Sequence, residues 1–255
     1  GGIGGLYAAN KLIDKYKNVT LIEKSDELGG LARSVKYKDG YIEKFYHYYG
    51  PETPYMFELL DELGFNKRLT WSKVSRASFI DGKIYPLEKK LDLLKFNLIS
   101  FLDRIKLGLF ILKTRYLTKW ESIDHILAEN WLIKELGKKS YQVLWEPLLK
   151  LKFKEYTNQI PAPFIWSRIK IQQEEIAYIK KGLNDVIDEL ENRILTKGGV
   201  ILKNTSVNKI IIKKGKVSGL LTDIHGMIDT KYILTTVPSK ILNKLCNDFK
   251  SPEKE

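Results

Sequence analysis

With 255 residues, a hydrophobic share of 44% and a charged share of 29%, the chain can bury the core of one or two ordinary globular domains. Its single cysteine, Cys246, excludes a disulfide framework and a thiolate metal site, and fits a reducing cytoplasm. The net charge of +12 comes from lysines scattered among Asp and Glu with no nucleic-acid motif beside them, which reads as a solvated surface and excludes a nucleic-acid partner.

The chain opens on Gly1-Gly2-Ile3-Gly4-Gly5-Leu6, and Leu6, Ala9, Leu12, Ile13 and Tyr16 continue it at helical spacing. This is a turn opening an amphipathic helix. Val19-Thr20-Leu21-Ile22-Glu23 follows as a short β-branched strand that ends on an acid. Together they read as the second half of a dinucleotide-binding βαβ unit. Glycines let backbone N–H groups approach a pyrophosphate, the helix N-terminus adds partial positive charge, and Glu23 stands where a carboxylate takes ribose hydroxyls. The plain alternative is a helix N-terminus with flexible glycines. Aligned on Gly5, the fingerprint puts its middle glycine at Gly2 and its first before the chain begins, so the expectation is a chain that starts inside a longer protein.

The stretch Leu21-Ile22-Glu23-Lys24-Ser25-Asp26-Glu27-Leu28-Gly29-Gly30-Leu31-Ala32-Arg33-Ser34 adds a second glycine pair. It resembles the signature of the FAD-dependent amine oxidases and their relatives, among them protoporphyrinogen oxidase, phytoene desaturases and UDP-galactopyranose mutase. The resemblance implies an α/β fold: a Rossmann-like FAD-binding domain with an inserted, mainly helical cap or substrate domain. It implies that Gly1, Gly2 and Gly5 form the phosphate loop and that Glu23, with Lys24 beside it, binds the adenosine ribose. Gly29, Gly30 and Arg33 would lie along the FAD diphosphate. The expected divisions are residues 1–76 and 177–255 for the FAD-binding domain and 77–176 for the cap.

Val35 to Lys38 and Gly40 to Lys44 alternate around Asp39-Gly40, a hairpin signal. Phe45-Tyr46-His47-Tyr48-Tyr49-Gly50 follows, a segment that in the resembled family passes close to the flavin ring. It reads as a wall of the flavin site, with Tyr46 and His47 candidates for substrate contact, or as an aromatic strand in the core. A helix is expected from Tyr55 to Leu63, stopped by Gly64, and a hairpin over 77–86 around Asp81-Gly82.

From Leu87 to Gln173 the period becomes helical. Leu91, Leu94, Leu98, Leu102, Ile105, Leu109 and Leu112 form a stripe expected to pack inside a helical cap; with its basic residues, the segment 91–117 also qualifies for peripheral membrane contact at the inner membrane face. Charges interrupt it well short of a membrane span. Trp131, Leu132 and Leu136 lead to a stop at Gly137, and Tyr141 to Trp145 continues before Pro147. Glu146 is a candidate acid or a structural carboxylate. Arg168 is a candidate for a substrate carboxylate or phosphate, or a helix cap.

Lys181-Gly182-Leu183 opens a helix through Leu195, with lysine where relatives carry a glycine, and Gly199 to Lys203 is a strand. Thr205 to Ile212 and Val217 to Leu221 form a meander, in which the resemblance implies backbone contact between Val207 and adenine. Ile233-Leu234-Thr235-Thr236-Val237-Pro238 is expected as a strand returning beside the diphosphate. No metal-ligand spacing, nucleophile elbow or Lys-Ser/Thr phosphate loop is present. The expected function is FAD-dependent oxidation of a C–H bond in a small-molecule substrate by hydride transfer to flavin. The alternatives are a mutase acting on a sugar nucleotide, or a membrane-docked module without catalysis.

Overall fold

The computed structural model describes residues 1–51, 53–87, 92–171, 174–179 and 182–246. The elements run α1 (Ile3–Ile13), β1 (Thr20–Ile22), β2 (Ser34–Tyr37), β3 (Gly40–Glu43), α2 (Pro54–Glu62) and β4 (Leu69–Lys73). Then come β5 (Ala77–Ile80), β6 (Lys83–Pro86), α3 (Asp92–Lys95), α4 (Phe101–Tyr116), α5 (Ala128–Leu136), α6 (Lys138–Leu144), α7 (Glu146–Phe153) and α8 (Ala162–Lys170). The last run is β7 (Glu175–Ile179), α9 (Asn184–Thr196), β8 (Val200–Leu202), β9 (Val207–Lys213), β10 (Lys216–Thr222), β11 (Met227–Asp229) and α10 (Ser239–Leu245). They form two compact units, one of residues 1–49, 53–70 and 177–255, the other of 50–52 and 71–176. β4 pairs with β7, the strands in which the chain leaves and re-enters the first unit.

The first unit is Rossmann-like. β1 and β8 pair in parallel, Thr20 opposite Val200 and Ile22 opposite Leu202. α9 supplies Val186, Ile187, Leu190 and Ile194 at helical spacing, all fully buried in one core with Leu6 and Ala9 of α1. Each such side chain contributes roughly 1.5–3 kcal/mol through burial. β9, β10 and β11 form an antiparallel meander. Gly219 on β10 has to be glycine, because a Cβ there would stand 2.5 Å from the Ile228 carbonyl oxygen.

Two local expectations change in this unit. The hairpin of β2 and β3 turns at Lys38-Asp39, with Lys38 at φ 51, and Gly40 already lies in β3. Residues 233–238 form no strand: the segment is largely exposed and joins no ladder, so its β-branched composition finds no partner to pair with.

The second unit is mainly helical, with the β5–β6 hairpin turning at Asp81-Gly82, both at positive φ as a two-residue turn of this kind needs. Phe110, Trp131, Leu132, Leu136, Tyr141, Leu149 and Ile165 fill its core. α4 begins at Ser100, whose hydroxyl accepts the Asp103 N–H. This helix corrects the expected packing. Its buried side chains are Leu107, Phe110 and Thr114, whereas Leu102, Ile105, Leu109 and Leu112 are exposed at 68, 42, 61 and 54%. α4 carries apolar residues on two sides, and helical periodicity alone does not say which side turns inward. Leu91 and Gln173 lie outside the described residues, as do Lys181 and the tail from Ser251.

Candidate functional site

The site begins at the N-terminus of α1. Gly2 is its N-cap, in extended conformation and without a side-chain cap, so the first-turn N–H groups of α1 have no side-chain acceptor. Such a terminus carries about half a positive charge and several unused donors. The second glycine pair closes on it. Gly29 N–H donates to the Gly1 carbonyl at 2.8 Å, and Gly2 bridges Gly29 in parallel fashion. A Cβ on Gly30 would stand 3.4 Å from Gly2 Cα. Two glycine clusters distant in sequence thus make one wall of bare backbone.

The glycines of this wall are not there for one reason. A Cβ on Gly1 would meet Glu23 Oε2 at 2.5 Å, and one on Gly5 would meet Thr236 Oγ1 at 3.2 Å and Leu21 Cδ1 at 3.5 Å. Those two are small because protein packs on them. Gly29 sits at φ +101 against Ile187. A Cβ on Gly2 would meet nothing within 4 Å. No packing or backbone strain requires glycine at Gly2, so the open space in front of it is where a ligand approaching the backbone fits.

Glu23 closes one end. Its Oε1 accepts Ser25 N–H at 2.9 Å and its Oε2 lies 2.8 Å from the Gly1 nitrogen. The Glu23 carbonyl accepts Thr205 N–H at 2.9 Å, and the Ser25 carbonyl accepts Asn204 N–H at 3.0 Å. These bonds bring the start of β9, and with it half-buried Val207, to the same end as Glu23. Lys24 points to solvent.

Arg33 leaves the Gly29-Gly30 turn and is engaged by carboxylates, Asp188 at 3.1 Å and Glu27 at 3.9 Å. The next residue is clamped by a side chain that sequence reasoning missed. Buried Asn184 accepts Ser34 N–H at 2.8 Å and donates to the Ser34 carbonyl at 3.0 Å. An Asn opening a helix reads in sequence as a capping residue, which conceals this role. Glu43 was missed as well. It accepts the His47 backbone N–H at 2.7 Å, and a Cβ on the Gly182 turn would stand 3.4 Å from it and clash with Ser34 Oγ.

Around that carboxylate three buried polar atoms have no hydrogen-bond partner: Ser34 Oγ, His47 Nδ1 and Tyr49 Oη. Burial, and after it the Glu43 charge, raises the Tyr49 phenol well above its ordinary range. Unsatisfied buried groups of this kind call for a ligand or water. The rest of the aromatic segment is outside the core: Tyr46 is 80% exposed and stacks on Tyr48 at 6.0 Å, and Phe45 is exposed too. Only Tyr49 is anchored as a strand residue, bridging Ala177.

Glu146 and Arg168 belong to the helical unit. Glu146 is paired with Lys150 one turn on at 2.7 Å, the structural alternative of the two considered. Arg168 lies over the Phe164 ring, in the last turn of α8. Among the described residues no group of His, Cys, Asp and Glu is placed to hold a metal ion.

A parallel strand pair, a helix N-terminus faced by bare glycine backbone, and a carboxylate at its end define a dinucleotide-binding protein of Rossmann-like fold. The chain belongs to the flavin containing amine oxidoreductase family, whose model matches residues 3–254. It is 23% identical over 259 residues to a 4,4'-diapolycopen-4-al dehydrogenase of Metabacillus indicus, covering 88% of this chain and 52% of that one. It is 25% identical over 248 residues to flavin-containing amine oxidase B of Rattus norvegicus, covering 89% and 41%. The crystal structure of an oxidoreductase from Methanosarcina mazei superimposes with a TM-score of 0.70 at 20% identity, over 99% of this chain and 61% of that one, a likeness of fold. The chain thus spans about half the length of the relatives it matches.

The flavin that gives the family its name fits what is present. The open face at Gly2 admits a diphosphate, Glu23 offers acceptors for ribose hydroxyls, and the orphaned Ser34, His47 and Tyr49 atoms await polar contacts.

Proposed function

We propose that this chain is the FAD-binding and cap portion of an oxidoreductase that removes hydride from a C–H bond of a small-molecule substrate. The observation that carries the reading is the open space at Gly2, where the Gly29-Gly30 turn closes on the N-terminus of α1. When bound, FAD supplies the hydride acceptor. Gly1, Gly2 and the α1 N-terminus take the diphosphate, and Gly29, Gly30 and Arg33 line its other side. Glu23 offers its carboxylate to the ribose hydroxyls, and Val207 offers backbone groups to adenine. Asn184 fixes Ser34, and Glu43 fixes the backbone at His47, so that both segments keep their shape without a ligand. Tyr46 and His47 are the proposed substrate contacts.

The test is the absorbance spectrum of the purified full-length protein, with and without dithionite, and the identity of the flavin released by heat. FAD that bleaches on reduction supports the reading. FMN, or a colourless protein that binds only NAD, overturns it.

The exposed face of α4 favours a second property, contact with an anionic bilayer. Leu102, Ile105, Leu109, Leu112 and Tyr116 form an apolar strip edged by Lys106 and Lys113, which are exposed and pair with Asp103 at 3.8 Å and Glu135 at 2.9 Å. Among the described residues no helix is long and apolar enough to cross a membrane, so the contact would lie in the interface. Co-sedimentation with phosphatidylserine vesicles, but not with phosphatidylcholine vesicles, is the expected result.

A further inference from the structure

In the helical unit two cations from different helices close on one aromatic ring. The Lys152 ammonium of α7 lies 5.2 Å from the centroid of Phe164 and 5.9 Å from that of Phe153. The Arg168 guanidinium, one turn beyond Phe164 on α8, lies 5.3 Å from the Phe164 centroid. The two rings meet edge to face at 4.9 Å, which fixes the platform that the cations share. Neighbouring Lys150 has a carboxylate, Glu146 at 2.7 Å. Lys152 and Arg168 make no ion pair among the described residues.

Like charges gathered on apolar surface repel each other and lose hydration, and both effects are visible here. Burial, then the charge of Arg168, lower the pKa of Lys152, with no acidic group acting in the opposite direction. An anion seated between the two relieves that repulsion. The guanidinium fork matches a planar two-oxygen group, and the ammonium adds a third donor. Beside them Leu148 and Leu151 are 51% and 82% exposed, so apolar surface continues away from the cations.

We propose that Lys152, Arg168 and the Phe153–Phe164 pair form a binding site for the carboxylate of a small amphipathic molecule, whose apolar body lies along the rings and Leu151. Rings fixed edge to face and shared by both cations favour a single seated group over a diffuse surface. The site contains no residue proposed for the cofactor or the substrate and its test involves no turnover, so failure of the redox reading leaves it standing.

The test is calorimetric titration of the full-length protein with octanoate, octanol, inorganic phosphate and phosphatidylserine vesicles. Octanoate should bind at least tenfold more tightly than octanol, and more weakly as salt is raised. The double variant Lys152→Gln/Arg168→Gln should lose at least tenfold in octanoate affinity, with octanol binding and melting temperature unchanged. Arg168→Lys should retain part of the affinity, and Lys150→Gln, whose lysine is already paired, all of it. Equal octanoate affinity in the double variant and the parent overturns the site. Phosphate competing as well as octanoate overturns the role of the rings. Vesicle binding that depends on Lys152 and Arg168, without octanoate binding, replaces the carboxylate with a lipid surface.

Discussion

The glycine wall of the first unit and the outer face of α4 in the second are both surfaces without a protein partner, and they are built in opposite ways. At the wall, side chains are absent: Gly2 has open space where a Cβ would go, and bare backbone N–H groups are what remains to recognise. On α4, side chains are in surplus: Leu109 is 61% exposed while Phe110, next in sequence, is 3% exposed. Polar backbone held in one shape recognises a defined group such as a diphosphate. An apolar strip with basic flanks recognises a class of surface without fixed geometry. A vacancy that neither packing nor strain explains is therefore the more specific of the two signs.

The comparison is best broken at its buried side first. Phe110→Ala removes a ring packed edge to face on Trp131 at 5.0 Å and should cost about 3–5 kcal/mol in chemical denaturation of the full-length protein. Gly29→Ala forces a side chain into φ +101 against Ile187 and should cost about 2–4 kcal/mol, read as a drop in the denaturation midpoint without cofactor.

Gly2→Val is the sharper instrument. Its Cβ meets no protein atom, and φ −67 with ψ 172 suits valine, so the fold should hold. FAD affinity should fall at least about a hundredfold, roughly 2.7 kcal/mol, in a fluorescence titration. A variant that binds FAD like the parent would show that nothing approaches Gly2. Glu23→Ala should cost about 1.5–3 kcal/mol of FAD affinity by the same titration, one charge-assisted hydrogen bond. The smallest effect on stability belongs to Leu109→Ser with Leu112→Ser, within about 0.5 kcal/mol each. That double variant should nevertheless lose vesicle co-sedimentation, and retained binding would clear α4 of any membrane role.

Much of the candidate site was legible because its parts are local. The Gly29-Gly30 pair and the Asp81-Gly82 turn adopt a backbone shape that few other residues take, and the glycines at 1, 2, 4 and 5 and the acid after β1 stand out as a local pattern. Pro54 at the start of α2 and Gly64 after its end gave that helix its bounds in the same way. Asn184 and Glu43 were not legible as site residues. Asn184 acts on a partner 150 residues away, and nothing local distinguishes it from an ordinary helix cap; Glu43, which takes the His47 N–H four residues on, reads in sequence only as the end of a hairpin strand.

By itself, then, the sequence determined the two-part α/β and helical organisation, the glycine loops and the family, since these rest on periodicity and on steric demands made within a few residues. Tertiary structure alone decided which side of α4 is buried, which glycine faces open space, and that residues 233–238 join no ladder. Those outcomes depend on which surface arrives opposite a segment once the chain has closed, and periodicity carries no record of that.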